Sequence, residues 1–392
     1  MGEVLRFGAR VQVRTYLWFV NRFFLCSGAA PQVLKRAKMR RRLCTSVAQH
    51  PLIDVSALAT GCSSTVKKLR SALFDLGYFY AAGVSDLPAS YIKSIYEYSA
   101  RAHALPASVK LRCAQRSGTG SYSGLDIGQP ELNYEATDAV ASVSGWDYSR
   151  QRFSLGNSDA TTPIGDLYPG VSDGLDPPFA TVMDDLYERQ DRLGRVLLRG
   201  FEEALDLPQR TLLDLYEQGG DSDFGTIRLL QYPGDKAASE KATTGIGAHT
   251  DFEVFTLMHQ NASGLQLMPR IPGVEGVHGD WVDAPVRDEE FVVILGDMLE
   301  RLTNGALLAT PHRVLPTPHA RSSIIRFNGF APEALVQPLD AFCSAERPPM
   351  YSPVTMRQHS ETTMKNLEAG LGSWDAERQR STSAVRDYSS AL

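Results

Sequence analysis

Cysteine is scarce in this chain of 392 residues, and its few copies are scattered. No two of them form a C-x-x-C pair, and their number is odd: they are Cys26, Cys44, Cys62, Cys113 and Cys343. A disulfide framework or a cysteine-based zinc site would need paired or closely spaced cysteines. The sequence therefore predicts neither, and it favours a reducing compartment.

An excess of positive charge is also absent from the chain as a whole. It has 40 Lys and Arg against 45 Asp and Glu, a formal net charge of −5. A nucleic-acid-binding protein usually has a basic field, so the sequence predicts no nucleic-acid partner. With 43% hydrophobic and 22% charged residues, the composition is typical of a globular, water-soluble protein. Nothing in this composition indicates an oligomeric state.

Acidic residues are nearly missing from residues 1–49. This segment has ten Lys or Arg and one acid, Glu3, whereas the remaining residues have a balance of −14. A basic segment with spaced arginines and large apolar side chains is typical of an organelle presequence, most often mitochondrial. We therefore expect organelle targeting, with a processing site near Arg40–Ser46, and otherwise a cytoplasmic protein. Three alternatives stay open for this segment: a secretory signal or anchor, a disordered tail, or an incorrectly assigned start of the gene.

No run of apolar residues reaches the length of a membrane span. The longest, residues 16–30, is interrupted by Asn21 and Arg22 and is shorter than the roughly 20 residues that a spanning helix needs. We therefore expect no stable membrane span.

Composition and periodicity divide the chain into four predicted parts. Residues 1–48 are the basic segment, 49–220 a region of helices and long loops, 221–335 a β-rich domain, and 336–392 a C-terminal helix and frayed tail. An apolar stripe at helical spacing predicts a helix over Phe179–Leu207, and residues 115–176 are predicted as long loops. From Asp223 to Phe330 about eight short strands predict a barrel or sandwich. The fold class is mainly β with helical support (α+β).

Three residues of the β-rich part have the chemistry of a metal site. His249 and Asp251 are two residues apart in an extended segment, so their side chains point the same way. His312 follows on another predicted strand. Two imidazoles and one carboxylate on one face of an octahedron leave three open positions, as in the facial triad of non-haem Fe(II) oxygenases.

A second group of residues suits a carboxylate. Arg321 and Ser323 share one face of a predicted strand, and a guanidinium beside a hydroxyl can hold a carboxylate by charge-assisted hydrogen bonds. Tyr232 ends the strand that begins at Thr226, and its phenol is a candidate third contact.

The sequence at this point resembles the 2-oxoglutarate- and Fe(II)-dependent dioxygenases of the isopenicillin N synthase-like family. The resemblance covers roughly residues 50–370 and rests on an ordered set of segments. These are Pro51–Ser56, Leu76-Gly-Tyr-Phe-Tyr80, Gln231-Tyr-Pro233, His249-Thr-Asp251, Thr256-Leu257, Gly264-Leu-Gln-Leu267, Gly296–Gly305, Thr310-Pro-His-Arg-Val314 and Arg321-Ser-Ser323. Three positions depart from the family's usual pattern, namely Leu230, Gln231 and Arg326. They leave the iron site intact but make the subfamily uncertain.

The resemblance implies a fold, a reaction and a role for each candidate residue. The implied core is a double-stranded β-helix, or jelly roll, preceded by a helical region. His249, Asp251 and His312 would be both iron ligands and catalytic centre. Arg321 and Ser323 would hold the distal carboxylate of 2-oxoglutarate with help from Tyr232. The protein would be an oxidoreductase that uses Fe(II), 2-oxoglutarate and O₂ to oxidise, most commonly by hydroxylation, a small-molecule substrate, with release of succinate and CO₂.

Other interpretations stay open at this point. An oxidase of the same family would use the iron site without 2-oxoglutarate, with Arg321 and Ser323 holding the substrate's own carboxylate. A catalytically silent barrel would act as a binding module, and a zinc hydrolase also uses His and Asp ligands. A second H-x-D, His278-Gly-Asp280, lies in a glycine-rich loop, and His319 is an alternative to His312. His359 is predicted to lie on the surface of the C-terminal helix.

Overall fold

The structure is a computed structural model, and it describes only part of the chain. The described residues are 50–116, 143–150, 167–218, 225–232, 234, 245–274, 276–368, 374–375 and 380–381. The chain separates into two units, residues 1–49 and 50–392. The predicted presequence, residues 1–48, and most of the predicted loop region 115–176 lie outside the described residues. Organelle targeting therefore stays a prediction.

A seven-stranded sheet is the largest element of the second unit. Its strands are β1 (Leu52–Asp54), β2 (Tyr78–Ala82), β3 (Ser144–Tyr148), β4 (Thr226–Tyr232), β6 (Phe255–Gln260), β9 (Phe291–Leu295) and β11 (Arg321–Asn328). Their order is β1-β2-β9-β6-β11-β4-β3, with β1 parallel to β2 and every other pair antiparallel. β1, β2 and β3 come from the predicted N-terminal region. β2 pairs with β9 and β3 with β4, both strands of the β-rich part, and β1 pairs with β2.

A second sheet has four strands. They are β5 (Ile246–His249), β7 (Leu265–Leu267), β8 (Val282–Asp283) and β10 (His312–Val314). Their order is β5-β10-β7-β8, with antiparallel pairs. Two short pairs follow along the chain: β12 (Leu335–Val336) with β13 (Val354–Thr355), and β14 (Trp374–Asp375) with β15 (Arg380–Ser381).

Eight α-helices accompany the sheets in the part of the chain that is described. They are α1 (Val55–Ala59), α2 (Ser63–Asp75), α3 (Ala89–His103), α4 (Ala107–Arg116), α5 (Phe179–Ala204), α6 (Thr211–Glu217), α7 (Asp297–Leu302) and α8 (Met356–Glu368). None of these helices is long and apolar enough to cross a membrane. The α+β character predicted from the sequence agrees with this inventory.

The long helix α5 covers one face of the large sheet because its apolar stripe faces the strands. Phe201 of α5 is fully buried and makes edge-on ring contacts with Phe79 of β2 and Phe255 of β6. The same helix also contacts Arg326 of β11, whose guanidinium lies 3.4 Å from Asp191 of α5. β-Strand alternation then turns the other face of the sheet away from α5, towards the candidate site.

Several described elements differ from the sequence prediction, and β3 and α6 are two of them. Residues 144–148 are predicted as loop but form β3, which pairs with β4 and buries Trp146 and Tyr148. Their Ser-Gly start has low β-propensity, so the strand depends on the ladder with β4 and on the two buried aromatic rings. The short helix α6 is also missing from the prediction, because it does not extend far enough to give a clear helical periodicity.

Candidate active site

The three predicted metal ligands come together at one point. His249 ends β5, His312 begins β10, and the two residues are direct partners across the antiparallel ladder. Asp251 lies beyond the end of β5, and its carboxylate oxygens are 3.6 Å from Nε2 of His249 and 3.5 Å from Nε2 of His312. One ligand atom of each residue lies within 4.8 Å of the other two, and all three residues are buried. The described residues contain no other such group.

Backbone carbonyls fix both imidazole rings. Nδ1 of His249 lies 2.9 Å from the carbonyl oxygen of Gly247, and Nδ1 of His312 lies 3.2 Å from that of Thr310. A carbonyl only accepts, so each Nδ1 carries the proton and each Nε2 lone pair faces the cluster. The hydroxyl of Thr256, on β6, donates to the carboxylate of Asp251. This arrangement of oriented ligands is typical of a metal site.

Burial also keeps the ring of His249 in the form that binds a metal. Loss of hydration, followed by the charge of His312, lowers the pKa of His249 to about 3. The ring is therefore neutral near pH 7. Two imidazoles and one carboxylate suit a divalent cation, and a set of two histidines and one carboxylate fits a facial triad. The assignment of iron to these three residues stays a prediction that the geometry supports.

The second predicted group also lies together, on neighbouring strands of the large sheet. Arg321 of β11 is the direct partner of Tyr232 of β4, and its Cζ lies 4.8 Å from the centroid of the Tyr232 ring. Arg321, Ser323 and Tyr232 are all buried. Nε and Nη1 of Arg321 and the hydroxyls of Ser323 and Tyr232 form no hydrogen bond of normal geometry with described residues.

Buried polar atoms without partners usually mark a place where a ligand or water binds. Here the unpartnered atoms belong to a guanidinium and two hydroxyls, which are the donors that suit a carboxylate. Gly264 lies beside the same guanidinium, since a Cβ at this position would be in van der Waals contact with Nε of Arg321, at 3.5 Å. The residues therefore fit the distal carboxylate of 2-oxoglutarate.

Arg321, Ser323 and Tyr232 together form what we call the carboxylate cradle. The departure from the family's pattern at Arg326 does not affect it. Arg326 lies five residues after Arg321 and faces α5 and α6, where its guanidinium donates to the hydroxyl of Tyr216 of α6 at 3.0 Å. Its side chain is thus on the face of β11 opposite Arg321 and Ser323. Arg326 is a structural residue of the helix–sheet interface.

The alternative histidines lie apart from the triad. His278 is buried, with Nε2 3.2 Å from the carbonyl of Ala309, while Asp280 is exposed. His319 is exposed beyond β10. The prediction that His359 lies on the surface is wrong: it is 3% exposed, and its Nε2 lies 3.3 Å from Asp297. This contact joins α8 to α7, two distant segments whose packing local periodicity does not show.

Several charged residues near His249, Asp251 and His312 were not predicted from the sequence. Arg228 of β4 forms a two-point ion pair with Asp147 of β3, at 2.7 and 2.6 Å. Its charge also acts on His249 and on Tyr232. Glu253 is buried two residues after Asp251, and burial, followed by the Asp251 charge, raises its pKa well above the usual value. The only sequence signal was alternation along β4, which puts Arg228 and Tyr232 on one face.

The backbone that holds His312 depends on a glycine. Gly77 has φ +82°, and its carbonyl accepts a hydrogen bond of 2.7 Å from the hydroxyl of Thr310, whose own carbonyl holds His312. A Cβ on Gly77 would overlap that hydroxyl oxygen, closer than real Cβ atoms approach a neighbour.

We expect Gly77→Ala to lower the free energy of unfolding by about 3 kcal/mol, since left-handed strain and steric overlap add. Urea denaturation of the metal-free protein measures this. Gly174→Ala is the matched control, because Gly174 also has positive φ but nothing within 4 Å of the added Cβ. It is expected to cost about 1 kcal/mol, from backbone strain alone. Equal losses in the two variants would mean that the contact with Thr310 contributes nothing.

Comparison with known proteins agrees with this site. The family model of the 2OG-Fe(II) oxygenase superfamily matches residues 224–329, which contain the triad and the carboxylate cradle. The chain belongs to this superfamily. The oxygenase is 27% identical over 320 residues to homoarginine-6-hydroxylase 2-ODD-C23.1 of Arabidopsis thaliana, across 76% of the oxygenase and 89% of the plant protein. It is also 27% identical over 284 residues to the 2-oxoglutarate-dependent dioxygenase citB of Monascus ruber, across 68% and 79% of the two chains.

A solved structure gives the fold. The oxygenase superimposes on the dioxygenase for auxin oxidation of rice with a TM-score of 0.61 and 22% identity. The match covers 82% of the oxygenase and 96% of the rice chain. The predicted jelly-roll core with helical support is thereby confirmed.

The same comparisons confirm the predicted enzyme class. The oxygenase is a 2-oxoglutarate-dependent dioxygenase that oxidises a small organic molecule, and Fe(II), 2-oxoglutarate and O₂ are its cofactor and co-substrates. They support this interpretation over the oxidase that works without 2-oxoglutarate and over a catalytically silent barrel.

Proposed function

We propose that the oxygenase hydroxylates a small polar molecule, with Fe(II) held by His249, Asp251 and His312. The observation that carries this proposal is the close placement of the three ligand atoms, with both Nε2 lone pairs aimed inward by backbone carbonyls. In the same proposal the distal carboxylate of 2-oxoglutarate binds Arg321, Ser323 and Tyr232. Their unpartnered polar atoms support this assignment.

Iron with 2-oxoglutarate and O₂ supplies an oxidant strong enough to break an unactivated C–H bond. The protein's own residues then have three tasks. The triad holds the metal on one side and leaves the other side for ligands. The cradle at Arg321 fixes one end of the co-substrate. The buried surroundings of His249 and Asp251 exclude bulk water, so charged groups interact more strongly there than at the surface.

The polar residues beside the triad support a polar substrate. Arg228 lies on the same strand face as Tyr232 and retains 20% exposure of its side chain, although Asp147 pairs with it. Asp147 and Glu253 add two buried carboxyl groups. Arg228 and Asp147 bond each other, but Oε2 of Glu253 has no hydrogen-bond partner among the described residues. A substrate with its own charged or amide groups would supply such a partner, whereas an apolar one would not. The homoarginine-6-hydroxylases among the relatives make basic amino acids the first class to test.

We expect substrate to accelerate the consumption of 2-oxoglutarate. The full chain is purified without oxygen, loaded with Fe(II), and given 2-oxoglutarate and air; succinate is then measured with and without each candidate. Homoarginine, arginine and lysine form the first set, and a matched apolar amino acid such as norleucine is the control. A polar substrate is expected to raise succinate formation at least about tenfold and to yield a product heavier by one oxygen atom. Stimulation by norleucine but by no polar candidate would contradict the polar-substrate proposal, while the assignment of the iron site would stand.

A further inference from the structure

The guanidinium of Arg321 is a buried cation that lacks a counterion among the described residues. Arg321 is 1% exposed, and no described carboxylate lies within ion-pairing distance of it. Its hydrogen bond runs from Nη2 to Oε1 of Gln260, at 3.0 Å. Gln260 is the last residue of β6 and is the ladder partner of Ser323. One neutral amide therefore holds the cation that would meet 2-oxoglutarate.

The orientation of the Gln260 amide is fixed from its other end. Nε2 of Gln260 donates to the carbonyl oxygen of Ala284 at 2.9 Å. A carbonyl only accepts, so the amide nitrogen faces Ala284 and the amide oxygen faces Arg321. Ala284 is itself held by the hydrogen bond from its N–H to the carbonyl of Leu265, at 2.9 Å. Gln260 thus links the guanidinium of Arg321, through Ala284, to Leu265 of the small sheet.

Neutrality is the second property that makes an amide suitable here. A carboxylate at this position would accept the same hydrogen bond, but it would also neutralise Arg321 inside the protein. The cation would then have less affinity for an anionic co-substrate. An amide orients the guanidinium and leaves its charge available, while the ring of Tyr232 supports it from another side.

We propose that Gln260 is a positioning residue, which aims Arg321 at the distal carboxylate of 2-oxoglutarate. This inference rests on the proposed binding of that carboxylate by Arg321. Gln260 does not touch the co-substrate. Its contribution is to restrict Arg321 to one orientation before 2-oxoglutarate arrives, and preorganised donors of this kind raise affinity without adding contacts.

The test measures binding rather than turnover. The full chain is loaded with Mn(II), which does not turn over the co-substrate, and the Kd for 2-oxoglutarate is measured by equilibrium dialysis. Gln260→Leu is expected to raise this Kd about tenfold, the effect of one lost hydrogen bond to a charged group. Gln260→Glu is expected to raise it further, to about 100-fold, because the new carboxylate competes for Arg321.

A smaller 2-oxo acid separates positioning from general damage. 2-Oxobutyrate has the oxo acid group of 2-oxoglutarate without the distal carboxylate. Its Kd, measured by competition, is expected to change less than twofold in both Gln260 variants. A disturbed fold or metal site would weaken both acids together, and that result would overturn the proposal.

Gln266 provides a matched control. Its amide also bridges an arginine and an acceptor, accepting from Arg313 at 2.9 Å and donating to Asp283 at 2.8 Å, but on the small sheet. Gln266→Leu is expected to leave the Kd for 2-oxoglutarate within twofold of the wild-type value. A tenfold increase in this variant would overturn the specific role of Gln260.

A double-mutant cycle with Arg321 distinguishes this inference from the proposed function. If Gln260 acts through Arg321, adding Gln260→Leu to Arg321→Met changes the Kd by less than twofold. If Arg321→Met raises the Kd but Gln260→Leu does not, the inference fails and the proposed cradle stands. If Arg321→Met has no effect on the Kd, the proposed cradle fails, and the inference fails with it.

Discussion

Asp251→Ala is expected to abolish both tight Fe(II) binding and 2-oxoglutarate turnover. The carboxylate of Asp251 lies between the two imidazoles, 3.5 and 3.6 Å from their Nε2 atoms, so its loss removes one of three ligands and the only negative charge among them. We expect the affinity for Fe(II) to fall at least about 100-fold, because a divalent cation depends strongly on ligand charge. Equilibrium dialysis without oxygen measures the affinity, and succinate formation measures turnover.

The chain contains its own control for this experiment. Asp280 forms the second H-x-D with His278, but it is exposed and lies outside the cluster of three ligands. Asp280→Ala is expected to leave Fe(II) affinity and turnover within twofold of wild type. Wild-type iron affinity in Asp251→Ala would show that the metal binds elsewhere, and loss of iron in Asp280→Ala would point to His278 and Asp280 as the site.

Arg321→Met is expected to raise the KM for 2-oxoglutarate about 100-fold without weakening the fold. The distal carboxylate would lose its buried cationic partner, and loss of one partner of a buried hydrogen-bonded charge pair costs about 2–5 kcal/mol. The stability of the metal-free protein is expected not to fall in this variant. Its buried guanidinium has no described counterion, and Met replaces it with a shorter, unbranched apolar side chain that carries no charge. We therefore expect the free energy of unfolding to stay equal or to rise.

Arg326→Met on the same strand is the matched control, with the reverse pattern. Arg326 is fully buried on the opposite face, where it lies over the Tyr187 ring and close to Asp191. Its replacement leaves Asp191 without this partner, and we expect a loss of about 3 kcal/mol in unfolding free energy with an unchanged KM. If Arg321→Met instead destabilised the protein and left the KM unchanged, Arg321 would be a structural residue and the proposed co-substrate site would be wrong.

The parts of the fold that depend on local patterns could be predicted from the sequence. β4 has the bounds that alternation predicts, Thr226–Tyr232, and α5 begins at the predicted residue, Phe179. The predicted metal ligands also lie together. The H-x-D spacing alone was a weak signal, and the ordered set of family motifs distinguished His249 and Asp251 from the second H-x-D at His278 and Asp280. Asp251 itself lies beyond the end of β5 rather than in the strand, and its carbonyl accepts a hydrogen bond from the N–H of Asp297.

Features that depend on contacts between distant segments could not be predicted in the same way. β3 exists because it pairs with β4, which comes much later along the chain, and nothing local to its Ser-Gly-Trp sequence indicates a strand. Gln260 is a single glutamine at the end of a strand, and only the register of β6 with β11 puts it beside Arg321. The ion pair of Arg228 with Asp147 depends on the same non-local pairing of strands.

The proposed function depends on one property above all: the His249–Asp251–His312 cluster binds Fe(II) and accepts 2-oxoglutarate beside it. The most direct measurement is an anaerobic titration of the Fe(II)-loaded full chain with 2-oxoglutarate, followed by visible absorption. We predict a metal-to-ligand charge-transfer band in the wild type and in Asp280→Ala, no band in Asp251→Ala, and half-saturation at about 100-fold higher concentration in Arg321→Met. Bound iron that gives no band at any 2-oxoglutarate concentration, or a band that persists in Asp251→Ala, would contradict this assignment.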